Sequence, residues 1–466
     1  MRDLASRLRA IVQADRARSR EWVSAEAPDA AGAEGAEDGA RPAGAARANA
    51  LAETLGGTWH EASGSGRGSS AGLPSACLVI DRTWDPWRSH GRRRIHDCAI
   101  GPSAPVGVFD RRIAAVPDWA SKLVFFDIET TGLSGGAGTI AFLAGCGWFG
   151  DEGFTVRQFL LTGPSGERAL LELLEEVFDA ASVLVTFNGR TFDVPTMEMR
   201  WAFHRQAAPT DDLPHFDMLP VARRLWGFRP SSESAGARVE GAGCSLTALE
   251  RSVLQFHRVS DVPGFEIPAR YFHFLRTGDA GVIDGVLEHN RHDLVSLAVL
   301  TAHALWLAEV GPDACREPVE QIGLGRCYDR AGDVVRAEQA FALAASSEDH
   351  AIRGSARAYL AESQRRSGRI DDAARTWQRI LDDSPAARGD LAGHERRAAE
   401  ALAIYLEHRA KDPAAARRYA ESLHAAVASG PARRRDEVAH RIARLDRKIA
   451  RANDKGGLAA APLLDE

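Results

Sequence analysis

Between residues 25 and 75 the chain is mostly Ala, Gly, Ser, Glu and Asp, with few large apolar side chains. Such a stretch buries too little surface to offset its ordering entropy, so the pattern predicts a mostly flexible segment over residues 1–76. Near its start, Leu4, Leu8, Ile11 and Val12 recur at helical spacing among Arg2, Arg7, Arg9, Arg16, Arg18 and Arg20. That reads as a frayed amphipathic helix over 2–22, or as a basic contact for nucleic acid or a partner. Order begins with the strand pattern Cys77-Leu-Val-Ile80. Trp84, Trp87 and then Arg88, Arg92, Arg93 and Arg94 follow it. They read as a packed tryptophan pair beside a solvated loop, or as aromatics that stack bases beside phosphate-holding arginines.

From Lys122 apolar runs alternate with helical stripes. Residues 123–126 predict a buried strand, and 139–149 and 154–161 predict two more separated by turn glycines. Leu170, Leu173, Leu174, Val177 and Phe178 mark the apolar face of a helix over 167–180, and 182–187 is a further strand. Helices are then expected over 194–205, 217–226, 246–254, 269–276 and 280–307, with a loop at 229–243. This order predicts an α/β layer architecture for residues 77–308, with a short N-terminal extension.

Beyond residue 309 the pattern becomes a repeat. Leu324-Gly-Arg-Cys-Tyr-Asp-Arg-Ala-Gly332 is echoed by Leu360-Ala-Glu-Ser-Gln-Arg-Arg-Ser-Gly368, Ala337 by Ala373 and Phe341 by Trp377. The offset is 36 residues (360 minus 324), near the tetratricopeptide period of about 34. A weaker third unit runs through Tyr405 and Leu406 to Ala416 and Tyr419. An all-α, tetratricopeptide-like repeat domain is expected over 309–451, an ordinary helical bundle being the alternative. Residues 452–466 are expected to form a mobile tail.

The 466 residues are 45% hydrophobic and 26% charged, the balance of a soluble globular protein. No run of 18 apolar residues is present, which excludes a membrane span, and the N-terminus lacks a secretory pattern. Six scattered cysteines without a C-x-x-C pair suggest neither a zinc ribbon nor a disulfide framework, and a cytoplasmic location is expected. The net charge of −6 argues against indiscriminate coating of nucleic acid while leaving room for a local basic groove.

Three segments carry carboxylates that need an explanation. In Phe126-Asp127-Ile128-Glu129 two acids stand at i and i+2 after an apolar strand, on one face of the sheet. They repel each other unless a cation intervenes, or else the strand simply ends in polar residues facing water. Asn188-Gly-Arg190-Thr-Phe192-Asp193 joins a strand to a helix. There Asp193 reads equally as an N-cap and Asn188 as a turn residue. In His289-Asn-Arg-His292-Asp293, Asp293 falls on the apolar stripe of Val286, Leu297 and Leu300, with His289 one turn earlier. A buried His–Asp hydrogen bond is the structural alternative. Together Asp127, Glu129, Asp193 and Asp293 form an all-oxygen set suited to Mg²⁺ or Mn²⁺, able to hold two divalent cations about 4 Å apart. His289 is placed to accept a proton from water.

Asp127-Ile-Glu129-Thr-Thr-Gly132 resembles the first motif of the DEDD exonucleases. Asn188-x-x-x-Phe192-Asp193-x-Pro195 resembles the second, and His289-Asn290-x-x-Asp293 the third. The YprB-type branch is resembled further through residues 133–138, His215-Phe-Asp217, Cys244-Ser-Leu-x-x-Leu-Glu250 and Asp261-x-Pro-Gly264. The resemblance implies a ribonuclease-H-like fold, a mixed sheet with flanking helices, over about residues 77–308. It implies metal ligation by Asp127, Glu129, Asp193 and Asp293, and a water-orienting or deprotonating role for His289. Histidine-type members place His five residues before the last Asp, where this chain has Glu288. Tyrosine-type members place Tyr four before it, where this chain has His289. Asp217 reads as an N-cap. The expected activity is metal-dependent 3′→5′ exonucleolytic hydrolysis of single-stranded nucleic acid, DNA before RNA. Asn188 and Arg190 are expected to contact substrate, and the helical repeats a protein partner. The other reading is a repeat-type adaptor that binds nucleic acid without cutting it.

Overall fold

The structure, a computed structural model, describes residues 37–63, 76–132, 138–229, 243–384, 391–428 and 430–458. The readings over 2–22, 133–137, 230–242 and 459–466 lie outside the described residues. The chain divides into two compact units: Met1–Val221 with Gly243–Trp306, and Ala222–Ala242 with Leu307–Glu466.

The first unit is built on one seven-stranded mixed sheet. Its strands are β1 (Gly57–Glu61), β2 (Ala76–Trp84), β3 (Leu123–Thr130), β4 (Ala141–Gly150), β5 (Gly153–Leu161), β6 (Val183–Thr186) and β7 (His215–Asp217), in the order β1-β2-β5-β4-β3-β6-β7. β3 runs antiparallel to β4 and parallel to β6, and β6 runs parallel to β7. The uninterrupted apolar run of β3 suits a strand covered on both faces, and Val124, Phe125 and Phe126 are buried. Helices α2 (Glu167–Asp179), α3 (Asp193–Phe203), α4 (Met218–Leu225), α5 (Ile267–Thr277) and α6 (Ala280–Val310) accompany it. α6 is the one helix among the described residues long and apolar enough to cross a membrane. Most of that apolar window is buried within the protein, as in a core helix.

The stretch read as flexible up to residue 76 holds two ordered elements, β1 and helix α1 (Glu37–Leu55). Ala48, Leu51 and Leu55 of α1 are buried at helical spacing, and the Trp59 indole donates to Ala48 O at 3.1 Å. Alanine carries much of this helix, which is why a search for large apolar groups missed it. Trp84 is buried with the Arg88 guanidinium 5.2 Å from its ring centroid, whereas Trp87 is 64% exposed and stacks on His96.

The second unit is helical. Three pairs follow one another: α7 (Pro318–Ala331) with α8 (Val334–Ala344), α9 (His350–Arg366) with α10 (Ile370–Asp382), and α11 (Gly393–His408) with α12 (Pro413–Ala426). Helix α13 (Ala432–Leu458) follows and continues into the stretch expected to be a mobile tail. The echoed residues occupy equivalent places. Gly332 and Gly368 take positive φ just past α7 and α9, where a side chain would be strained. Ala337, Ala373, Phe341 and Trp377 are buried. A Cβ on Gly325 would lie 2.6 Å from the Phe341 ring, so that glycine sets how closely the pair packs.

Candidate active site

β3 delivers Asp127 and Glu129 on one face of the sheet. A register shift between Glu129 and Thr130 ends the regular ladder beside them. β6 stops at Thr186, and the Ile128 amide is taken by the carboxylate of Asp193. Asp193 is the first helical residue of α3; the cap position belongs to Phe192, whose side chain accepts no capping bond. Asp193 is therefore a buried acid turned onto the strand, not an N-cap.

α6 crosses this face with His289, Asn290 and Asp293. Ligating atoms of Glu129, His289 and Asp293 lie within 4.8 Å of one another. His289 Nε2 stands 3.4 Å from Asp293 Oδ2 and 3.9 Å from Glu129 Oε1. Its Nδ1 lies 2.8 Å from Asp261 Oδ1 and 3.4 Å from an Arg258 guanidinium nitrogen; the tautomer in which Nδ1 donates to Asp261 is the one that turns the Nε2 lone pair toward the cluster. His292, on another face, pairs with Glu288 at 3.1 Å and meets the edge of Phe256.

Asp127 is held by a polar row built into the sheet. Gly145 of β4 is its register partner, and Gln158 of β5 is the partner of Gly145. Asn290 lies over this row. It donates to Asp127 Oδ2 at 2.9 Å and accepts from Gln158 Nε2 at 2.8 Å. The same Gln158 nitrogen donates to Leu287 O at 2.9 Å. A Cβ on Gly145 would sit 2.3 Å from Asn290 Oδ1, so only glycine admits the amide there.

The cluster repels itself. Burial, then the charges of Asp293, Asp193 and Glu129, push the Asp127 carboxyl well above the carboxylate range, against the Asn290 hydrogen bond. Burial and the charges of Asp293 and Asp193 do the same to Glu129. Burial leads the rise of Asp193 from 3.8 to about 7, opposed by its own and the Ile128 amides. One cation of the protein already leans in. Arg258 donates to Asp293 Oδ1, to Glu250 Oε2 at 2.9 Å and to Asp261 Oδ2 at 3.4 Å. Burial opposes its charge, yet Asp293 and Glu250 hold its guanidinium above the ordinary arginine value. One guanidinium, shared with Glu250 and Asp261, does not offset the four acids of the cluster. Oxygen donors beside one imidazole suit divalent cations.

A family model described as the RNase_H superfamily matches residues 124–305. The chain is also 31% identical over 333 residues to the uncharacterized protein YprB of Bacillus subtilis (strain 168), covering 71% of this chain and 76% of that protein. The chain belongs to the same family as YprB and carries an RNase_H superfamily domain. Nucleases with this fold generally use divalent metals, and the matched span contains all four acids and His289.

Within this RNase_H domain the β6–α3 loop is tied down by Asp217. Its carboxylate accepts from the amides of Asn188 (2.9 Å), Arg190 (3.2 Å) and Leu219 (3.0 Å), the last near the start of α4. Asn188 has φ +70° and accepts from Thr191 Oγ1, a turn residue with an exposed side chain. The Arg190 guanidinium donates to His215 O and lies 3.7 Å from Asp110 Oδ2. These contacts engage the side chains of both predicted substrate residues within the protein. Sequence reasoning missed Arg258 and Gln158 and gave no role to Asp261 or Asn290. The last two stand within the quoted motifs, Asp261-x-Pro-Gly264 and His289-Asn290-x-x-Asp293, which was the signal available for them.

Proposed function

We propose that the RNase_H domain is a metal-dependent 3′→5′ exonuclease acting on single-stranded nucleic acid, with DNA favoured over RNA. The observation that carries this reading is the grouping of Glu129, Asp293 and His289, whose ligating atoms lie within 4.8 Å of one another, with Asp127 and Asp193 near enough for their charges to act on the same cluster. Two Mg²⁺ or Mn²⁺ ions held by these acids would supply a nucleophilic water and steady the leaving oxygen. His289 Nε2 takes the proton of the attacking water, and Asp261 stabilises the imidazolium that results. Asn290 and Gln158 keep Asp127 aimed into the cluster. Arg190 contacts the substrate phosphate once its bond to His215 O is exchanged. The polarity and the preference for DNA follow from the resemblance of the three motifs to the DEDD exonucleases.

The second unit, read as tetratricopeptide-like, receives a protein partner in a groove of about 640 Å³ beside Tyr359, Trp377, Ile404 and Tyr405. The test of the catalytic reading uses the full chain with Mn²⁺ and single strands of DNA and RNA labelled at either end. Stepwise shortening from the 3′ end, stopped by chelator and by Asp127→Ala, is expected. Intact strands that are nonetheless tightly bound would overturn it in favour of a binding-only domain.

A further inference from the structure

Far along the sequence from the carboxylates, His350, His394 and Glu395 form a second group whose ligating atoms lie within 4.8 Å of one another. His350 is the first residue of α9, and His394 and Glu395 lie in the first turn of α11. His394 is 2% exposed, and neither ring nitrogen has a hydrogen-bond partner among the described residues. A buried imidazole with both nitrogens idle is unfavourable, because neither polar atom recovers the hydrogen bond it made to water.

The neighbours are arranged around this ring. Gly354, one turn after His350 on α9, faces it so closely that a Cβ there would lie 2.2 Å from His394 Nε2. Glu395 is equally buried; its Oε2 accepts from the Ala392 amide at 2.7 Å, while Oε1 lies 3.8 Å from His350 Nε2. Two helix N-termini meet here, and their partial positive charges oppose a bare cation. The Glu395 carboxylate, and Asp349 capping the amides of Ala351 and Ile352, offset that field. An anion is excluded by the same buried carboxylate. Two imidazoles and one carboxylate are the donors of a tetrahedral zinc site with one position left for water.

We propose that His350, His394 and Glu395 bind one Zn²⁺ that clips α9 to α11. His350, with 31% of its side chain accessible, is the entry-side ligand, and solvent completes the coordination. The ion would tie the second helical pair to the third independently of the carboxylate cluster.

The test uses the full-length chain carrying Asp193→Asn and Asp293→Asn, so that zinc counted is not zinc at those acids. After chelator treatment, Zn²⁺ is titrated against a competing chromophoric chelator, and Co²⁺ is added separately for its visible absorption. One equivalent is expected to bind, to raise the melting transition and to give the spectrum of a nitrogen-ligated tetrahedral ion. His394→Gln should abolish the site. His350→Gln should weaken it at least tenfold, and being at the rim it decides the matter even where His394→Gln fails to fold. Zinc uptake unchanged by His350→Gln, or no uptake by the parent chain, would overturn the proposal.

Discussion

Replacing Asp193 by Asn should stabilise the metal-free protein at neutral pH. The carboxyl of Asp193 rises from 3.8 to about 7 on folding. A group whose pKa is raised in the folded state stabilises the fold fully below its unfolded value and loses that stabilisation as pH climbs through the folded one. For Asp193 the window runs from about 4 to about 7. The difference corresponds to roughly 4 kcal/mol, an upper bound because Asp127, Glu129 and Asp293 share the same field. Asparagine retains an oxygen for the Ile128 amide and brings no charge. Urea unfolding of wild type and Asp193→Asn in chelator, at pH 4.5 and pH 8, reports this contribution together with its coupling to the neighbouring acids. At pH 4.5 the variant should already lead by about 1 kcal/mol, since the unfolded carboxyl is mostly ionised there, and at pH 8 by up to roughly 4 kcal/mol. Saturating Mn²⁺ should reverse the order at pH 8, since it binds only the folded wild type tightly. A variant less stable than wild type at pH 8 in chelator would refute the idea that burial among like charges makes the ionised Asp193 costly.

Further expectations concern the supports of the site. Asp261→Asn removes the acceptor that fixes the His289 tautomer, and should lower kcat about 10- to 100-fold while leaving KM nearly unchanged in steady-state cleavage assays. Gly145→Ala drives a methyl group into Asn290 Oδ1. It should destabilise by about 1–3 kcal/mol in denaturant titrations and weaken Mn²⁺ binding through the loosened Asp127. Arg258→Met leaves Glu250 and Asp293 without their cation and should destabilise the metal-free fold by about 3–5 kcal/mol in calorimetry, with Mn²⁺ restoring part of the loss.

The acids on β3 were legible because a run of apolar residues ending in D-x-E has a period of two, and periodicity is local. His289 and Asp293 were legible for the same reason on a helix. Gln158 was not, since it touches Asn290 across 132 residues of chain and occupies a strand position that pattern alone marks as an apolar core site. Gly145 was hidden similarly: its value lies in the side chain it lacks, and a glycine in an apolar strand looks like any other. Arg258 lies in a loop with no periodic signal. Asp193 illustrates a real ambiguity, because the composition that favours a helix cap also suits a metal ligand, and only the fold shows Phe192 at the cap and the Asp193 carboxylate on the Ile128 amide. Helix α1 escaped notice because alanine supplies helix propensity without much apolar area.

The Asp127–Gly145–Gln158 row means that strand alignment is itself part of the chemistry. Sliding β3 by one residue would exchange its two acids for Phe126 and Ile128 on the face beneath α6, and Asn290 would meet a hydrocarbon. A copy whose sheet closed out of step would therefore carry no carboxylate cluster at all.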